Sequence, residues 1–307
     1  MNTALIFSGQ GAQHVGMGKD LADADSSVHD LYQEADQLLQ NNFSQVCFAG
    51  PEEKLTETSY CQPALFVHGL ALFKILQKEK PDFRFSSAAG LSLGEFTAHT
   101  AAGTFSFAQG LQLVAERGRL MQEACSSSAG GMLTLIGATT EQACALAEKS
   151  GLQVANFNCP GQIVLSGSKV LIPAAIEIGK ELGIKRTIPL NVAGAYHSAL
   201  MKPAQDALAP LIMAADLAMP QVPVYSNVTG QPNASTSEIR QNLIAQVTGS
   251  VRWEHCIQRM IAAGTTRFLE LGPGKILAGM CKRINKDIPC LSAGNLEELK
   301  GLLHEIN

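Results

Sequence analysis

The stretch Gly90-Leu91-Ser92-Leu93-Gly94-Glu95 places a serine between two glycines where an apolar run meets a helix-like run. The residues before it, Phe83 to Ala89, predict a short buried strand, and Glu95 to Ala102 predict a helix that ends at Gly103. A turn that tight brings backbone so close that a Cβ on either flank would clash, which gives both glycines a physical task. It would also expose the Ser92 hydroxyl beside the free N–H groups and partial positive charge of a helix N-terminus. Two readings of these six residues stay open: a nucleophile elbow, and a serine that merely N-caps a helix. In a chain with 28 glycines the motif alone does not choose between them.

Working outward, strand-like and helix-like segments alternate as in α/β packing. Met1 to Ser8 reads as a first strand rather than a signal peptide, since it lacks a basic leading segment. Gly9-Gln10-Gly11-Ala12-Gln13 follows as a loop whose backbone N–H groups can face a ligand. It lacks the Gly-Lys-Ser/Thr ending of a phosphate loop and the spacing of a dinucleotide loop. Helices are expected at about 24–42, 63–78 and 106–124, the last opened by the capping-box sequence Ser106-Phe107-Ala108-Gln109. On that helix Leu111, Val114, Gly118 and Met121 form the buried stripe. Arg117 sits only ~60° around from Val114, beside the stripe. It either snorkels, its stem covering apolar surface, or presents a guanidinium at a pocket edge to a carboxylate.

From Ser126 to Val192 the predicted order is strand, helix, strand, strand, helix, strand, the ferredoxin-like β-α-β-β-α-β arrangement. Asn156-Phe157-Asn158-Cys159-Pro160-Gly161 reads as the turn between its middle strands, with asparagines that are either plain turn residues or amides aimed at a cleft. Such a unit inserted in a larger α/β chain makes a cleft at the junction. Of seven histidines, His197 is the one at that junction. Beyond it, Val222–Asn227 and Arg267–Leu271 are strand-like, with helices at about 235–247, 253–263 and 275–284. The organisation expected is one large domain, residues 1–125 and 194–307, with residues 126–193 inserted.

Composition excludes several classes. The 307 residues are 46% apolar, enough for a substantial core. With 23 basic against 27 acidic residues and a formal charge of −4, nothing attracts nucleic acid or an anionic membrane in general. No apolar run approaches the ~18 residues of a spanning helix. Eight cysteines include no Cys-x-x-Cys pair and no zinc-finger spacing, so they read as reduced, mostly buried thiols in a cytoplasmic protein, and no metal is expected.

Taken together, Phe7-Ser8-Gly9-Gln10-Gly11-Ala12-Gln13, the Ser92 elbow, the Arg117 helix, Asn156 to Gln162, Ala195-Tyr196-His197-Ser198 and Glu270-Leu271-Gly272-Pro273-Gly274-Lys275 resemble the malonyl-CoA:acyl carrier protein transacylase family. These matches span nearly the whole chain in order. The resemblance implies an α/β-hydrolase-like core with a ferredoxin-like insertion. It implies that Ser92 attacks the thioester of malonyl-CoA, with His197 as its base, and later gives the malonyl group to the phosphopantetheine thiol of an acyl carrier protein. The backbone N–H groups of Gln10 and Leu93 would hold the oxyanion, and Arg117 would bind the malonyl carboxylate. No permanently bound cofactor is implied, and Asn158 is a possible supporting residue.

Two positions depart from the family pattern. Leu91 stands where histidine is frequent, which implies altered pocket shape. Arg252 stands where many members have glutamine before the tryptophan matched by Trp253; its backbone carbonyl would orient His197. A discrete acyltransferase of a polyketide synthase remains an alternative. So does a serine esterase or thioesterase, which predicts a carboxylate between serine and histidine and a histidine near the C-terminus. A non-catalytic docking subunit would have no use for Ser92, Arg117 and His197 together. Lys185, Arg186, Lys275, Lys282, Arg283 and Lys286 are the basic candidates for meeting an acidic carrier.

Overall fold

The computed structural model describes residues 2–306; Met1 and Asn307, the outer limits of the expected core, lie outside it. Its strands are β1 (Thr3–Phe7), β2 (Ser87–Gly90), β3 (Gly130–Ile136), β4 (Gln153–Cys159), β5 (Gln162–Ser168), β6 (Arg186–Pro189), β7 (Arg267–Leu271) and β8 (Cys290–Ala293). They form two sheets of four. The first runs β2-β1-β7-β8, parallel throughout. Every residue of β1 and β7 is buried, as expected when helices cover both faces of a parallel sheet. Leu5 and Phe7 point into one core and Ala4 and Ile6 into another, so the alternation of the strand divides the core into two layers.

The second sheet is antiparallel, in the order β4-β5-β3-β6, and with helices Thr140–Ser150 and Ile172–Glu181 it makes the ferredoxin-like unit around its own core of Leu133, Leu135, Leu146 and Leu165. The two units meet where Phe157 N–H donates to Val251 O (2.8 Å) and Val251 N–H to Ala155 O (2.8 Å).

Several segments differ from their expected form. The helix begun at Pro63 extends back to Thr58, because Thr58, Cys61 and Gln62 are buried and their packing keeps the turn before the proline helical. The helix expected at about 24–42 is Ser26–Leu39, capped by Asp25 through Ser27 N–H, and a short helix Lys19–Ala24 that was not expected precedes it. Asn156 to Cys159 is not a turn but the second half of β4, irregular in register, and only Pro160-Gly161 turns. Val222–Asn227 forms no ladder. It meets β2 through one bridge, Ala88 to Val224, because Pro223 has no N–H to donate. The Ser106 hydroxyl accepts from Gln109 N–H, which is half of the expected capping box, while the Gln109 amide lies against the Asp216 backbone.

Candidate active site

β2 ends at Gly90 and the next helix begins at Leu93, leaving Leu91-Ser92 to make the turn. A Cβ on Gly90 would stand 1.9 Å from Gly94 O, and one on Gly94 would stand 2.5 Å from Phe7 O, so each glycine is required for space. The left-handed conformation falls on Ser92 itself, at φ 56° and ψ −108°. Such a residue is strained and persists only where its surroundings hold it. Here Asn227 does so: its Oδ1 accepts from Ser92 N–H (2.6 Å) and its Nδ2 donates to Gly90 O (2.8 Å).

The Ser92 side chain makes no cap hydrogen bond. Its Oγ lies 2.8 Å from His197 Nε2 and accepts from Arg117 Nη2 at 3.0 Å. His197 Nδ1 lies 2.8 Å from Gln246 O. A carbonyl can only accept, so Nδ1 carries the proton, Nε2 is bare, and the Ser92 hydroxyl donates to it. Burial and the neighbouring Arg117 charge lower the His197 pKa to about 4, so the ring is neutral and able to take a proton at physiological pH.

The orienting carbonyl therefore belongs to Gln246 and not to Arg252. The Arg252 carbonyl accepts from Cys256 N–H (3.0 Å) in the following helix, and its guanidinium lies over the Phe157 ring. Helix Thr236–Ala245 ends beside His197, and the last carbonyls of a helix have no intrahelical donor. Gln246 had no signal in the sequence beyond its place at that helix end.

Arg117 does not snorkel. It is fully buried, donates from Nη1 to Gln62 Oε1 (2.6 Å) and from Nη2 to Gln246 Oε1 (2.9 Å), and its guanidinium carbon lies 5.7 Å from the Phe96 ring centroid. Burial lowers its pKa to about 10, offset by the charge of Glu95, which leaves it cationic at neutral pH. Glu95 is also fully buried, and burial raises its pKa to about 7.

A cavity of about 760 Å³ opens between the two sheets, lined by Gln10, Leu91, Ser92, Leu93, Asn158 and His197 among others. The backbone N–H groups of Gln10 and Leu93 donate to no acceptor among the described residues. The Gln10 side chain donates to Tyr196 OH and Thr58 Oγ1 at 3.4 Å each. Asn158 is buried, and its Oδ1 has no hydrogen-bond partner. Leu91 lines the cavity, as its expected effect on pocket shape requires.

Residues 4–301 match the acyl transferase domain family. The malonyl CoA-acyl carrier protein transacylase of Bacillus subtilis (strain 168) is 38% identical over 304 residues, 97% of this chain and 95% of that protein. The chain belongs to the malonyl-CoA:acyl carrier protein transacylase family. The transacylase of Staphylococcus aureus (strain MRSA252) is 36% identical, with 97% of each chain covered. Among solved structures, the acyl-carrier-protein S-malonyltransferase of Bartonella henselae superposes with a TM-score of 0.94 at 36% identity, over 100% of this chain and 99% of that one. A malonyl-transacylase in complex with a type II PKS acyl-carrier protein gives 0.95 at 35% identity, over 99% of this chain and 100% of that one. No described helix is long and apolar enough to cross a membrane.

Proposed function

We propose that the protein moves a malonyl group from malonyl-CoA to the phosphopantetheine thiol of an acyl carrier protein through an ester on Ser92 Oγ. The observation that carries this reading is the convergence on one oxygen of the His197 ring (2.8 Å) and the Arg117 guanidinium (3.0 Å). In the first half-reaction Ser92 Oγ attacks the thioester carbon while His197 Nε2 takes the hydroxyl proton. The N–H groups of Gln10 and Leu93 receive the oxyanion. The C–S bond then breaks and the departing CoA sulfur takes the proton from His197. In the second, His197 removes the proton of the carrier thiol, the sulfur attacks the ester carbon, the C–Oγ bond breaks, and Ser92 Oγ recovers the proton from His197. The sequence balances without a cofactor.

Arg117 is assigned to the malonyl carboxylate, which lies three bonds beyond Oγ in the ester. Asn158, with its free Oδ1 at the cavity wall, is a supporting group. Residues 126–193 are proposed as the subdomain that closes one side of the cleft, with 1–125 and 194–307 as the core. Lys275, Lys282 and Lys286 surround a shallow cavity of about 360 Å³ beside Ile288, a patch suited to the acidic carrier. Of the other basic candidates, Arg283 is held by Pro160 O (2.7 Å). The compartment proposed is the cytoplasm, and the route is fatty acid synthesis or a polyketide line with a separate acyltransferase.

A hydrolase reading is less well served, since a backbone carbonyl occupies the place beside His197 Nδ1 where a carboxylate is expected. Intact-protein mass spectrometry after mixing with malonyl-CoA tests the proposal. A malonyl adduct on Ser92 that moves to added holo-carrier is expected, and none on Ser92→Ala. An adduct that persists in Ser92→Ala, or that yields only free malonate, refutes it.

A further inference from the structure

Ser92-Leu93-Gly94-Glu95 has the sequence of a capping box, in which serine Oγ would cap the glutamate N–H and the glutamate carboxylate would return to the serine N–H. Neither bond forms. Ser92 Oγ is engaged by His197 and Arg117, and Ser92 N–H goes to Asn227. This releases the Glu95 carboxyl, which is fully buried one helical turn beyond the serine. Its Oε2 accepts from Gln246 Nε2 (2.5 Å) and from Asn227 N–H (3.1 Å), while its Oε1 has no partner.

Those two partners are the residues that hold the reacting groups. Asn227 grips the elbow on both sides, at Ser92 N–H and Gly90 O. Gln246 holds His197 with its backbone carbonyl, Arg117 with its side-chain oxygen, and Ser92 O with its side-chain nitrogen (3.0 Å). One carboxyl thus reaches Ser92, His197 and Arg117, each through one of these two residues.

We propose that Glu95 is a positioning residue for acyl transfer, acting by pinning the Gln246 amide so that its oxygen faces Arg117. Both bonds end on Glu95 Oε2 as the acceptor, so the amide nitrogen faces Glu95 and the amide oxygen is left to face the guanidinium. Without Glu95 the amide nitrogen keeps only the Ser92 carbonyl (3.0 Å), so the amide turns its NH₂ group toward Arg117 more readily, setting donor against donor at the group that receives the substrate carboxylate. Glu95 touches neither substrate nor the reacting atoms. Its effect is therefore on which acyl group is accepted as well as on rate.

This inference rests on the malonyl-transfer reading, and one experiment separates the two. Single-turnover kcat/KM for acylation of Ser92 is measured with malonyl-CoA and with acetyl-CoA on the wild type, Glu95→Ala and Glu95→Gln. Glu95→Ala is expected to lower the malonyl value and to reduce the malonyl-to-acetyl ratio about tenfold. Glu95→Gln is expected to keep the ratio, because both bonds already fall on one carboxyl oxygen and a single amide oxygen can accept them. Its new NH₂ would occupy the place of the unpartnered Oε1. A side chain that served folding alone would lower the active fraction, reduce both values equally and leave the ratio unmoved, which overturns the inference. If Glu95→Ala does not fold, Glu95→Asp withdraws the carboxyl by one methylene and is read by the same ratio. A wild type that forms no malonyl-Ser92 sinks the transfer reading, whatever the variants do.

Discussion

Replacing Arg117 by alanine tests the assignment on which substrate choice depends. The guanidinium is fully buried and makes three hydrogen bonds, to Gln62 (2.6 Å), Gln246 (2.9 Å) and the Ser92 hydroxyl (3.0 Å). With malonyl-CoA the variant must accommodate a carboxylate without its counter-charge. Removing one partner of a buried pair costs about 3–5 kcal/mol, or roughly two to nearly four powers of ten in kcat/KM. Acetyl-CoA brings no charge and loses only the contribution of the charge-assisted hydrogen bond to Ser92 Oγ, about 1.5–3 kcal/mol. At the middle of these ranges the malonyl-to-acetyl ratio should therefore fall about twentyfold. Quenched-flow acylation of Ser92, read by intact mass, measures both substrates on one preparation. Arg117→Lys keeps the charge but not the planar fork, so it should fall between wild type and alanine. An equal loss for the two substrates would refute the carboxylate assignment and leave Arg117 as a support for Ser92.

Two further outcomes follow from the same geometry. Tyr196→Phe removes the hydroxyl that meets Thr58 Oγ1 (2.6 Å) and Gln10 Nε2 (3.4 Å). About 1 kcal/mol, or about fivefold in kcat/KM, should be lost for every acyl donor alike, because the role proposed for Gln10 is at the oxyanion and not at the acyl tail; unchanged turnover would detach Tyr196 from the proposed oxyanion site. Stability should fall as pH drops from 6.5 toward 4. Burial holds His68, His99 and His197 at about 4, 3 and 4, below the ordinary 6.5, so the unfolded chain binds more protons across that window. Glu95, raised to about 7, and Glu270, also raised by burial, act in the opposite sense, since the folded state holds their protons to higher pH. Three histidines against two carboxyls leave acid destabilising, and calorimetry showing Tm rising between pH 6.5 and 5 would contradict the buried neutral rings.

The groups legible in the sequence were those whose chemistry is local. Gly90, Ser92 and Gly94 constrain one turn, and Arg117 is conspicuous because its own helix should bury it. His197 is marked by its place between two units. Gln246 carries no such mark, since the atom that orients His197 is a backbone carbonyl, which any residue could supply. Choosing Arg252 from its position beside Trp253 failed for that reason; where helix Thr236–Ala245 ends decides the matter. Asn156 and Asn158 read as turn residues because asparagine favours turns. In the fold their strand pairs with β5 and crosses to Val251, and those tertiary bonds outweigh local preference. Val222–Asn227 had strand composition, but Pro223 limits its pairing with β2 to one bridge.

The elbow is where local rules and the fold conflict most directly. Ser92-Leu93-Gly94-Glu95 satisfies the capping-box pattern, and a box would consume both the hydroxyl and the carboxyl that the site uses. What displaces it is Asn227, 135 residues away, which takes the Ser92 N–H in place of Glu95. Holding Ser92 at φ 56° costs about 1–3 kcal/mol. The two side-chain bonds of Asn227 return about 1 kcal/mol each, comparable with that strain. Local strain and distant clamp are thus of one size, so the serine keeps this conformation only while the clamp is intact. Reversion to a capped helix start is the expected default once it is lost. The motif shows where a nucleophile can stand, and the residues that keep it there come from the far end of the chain.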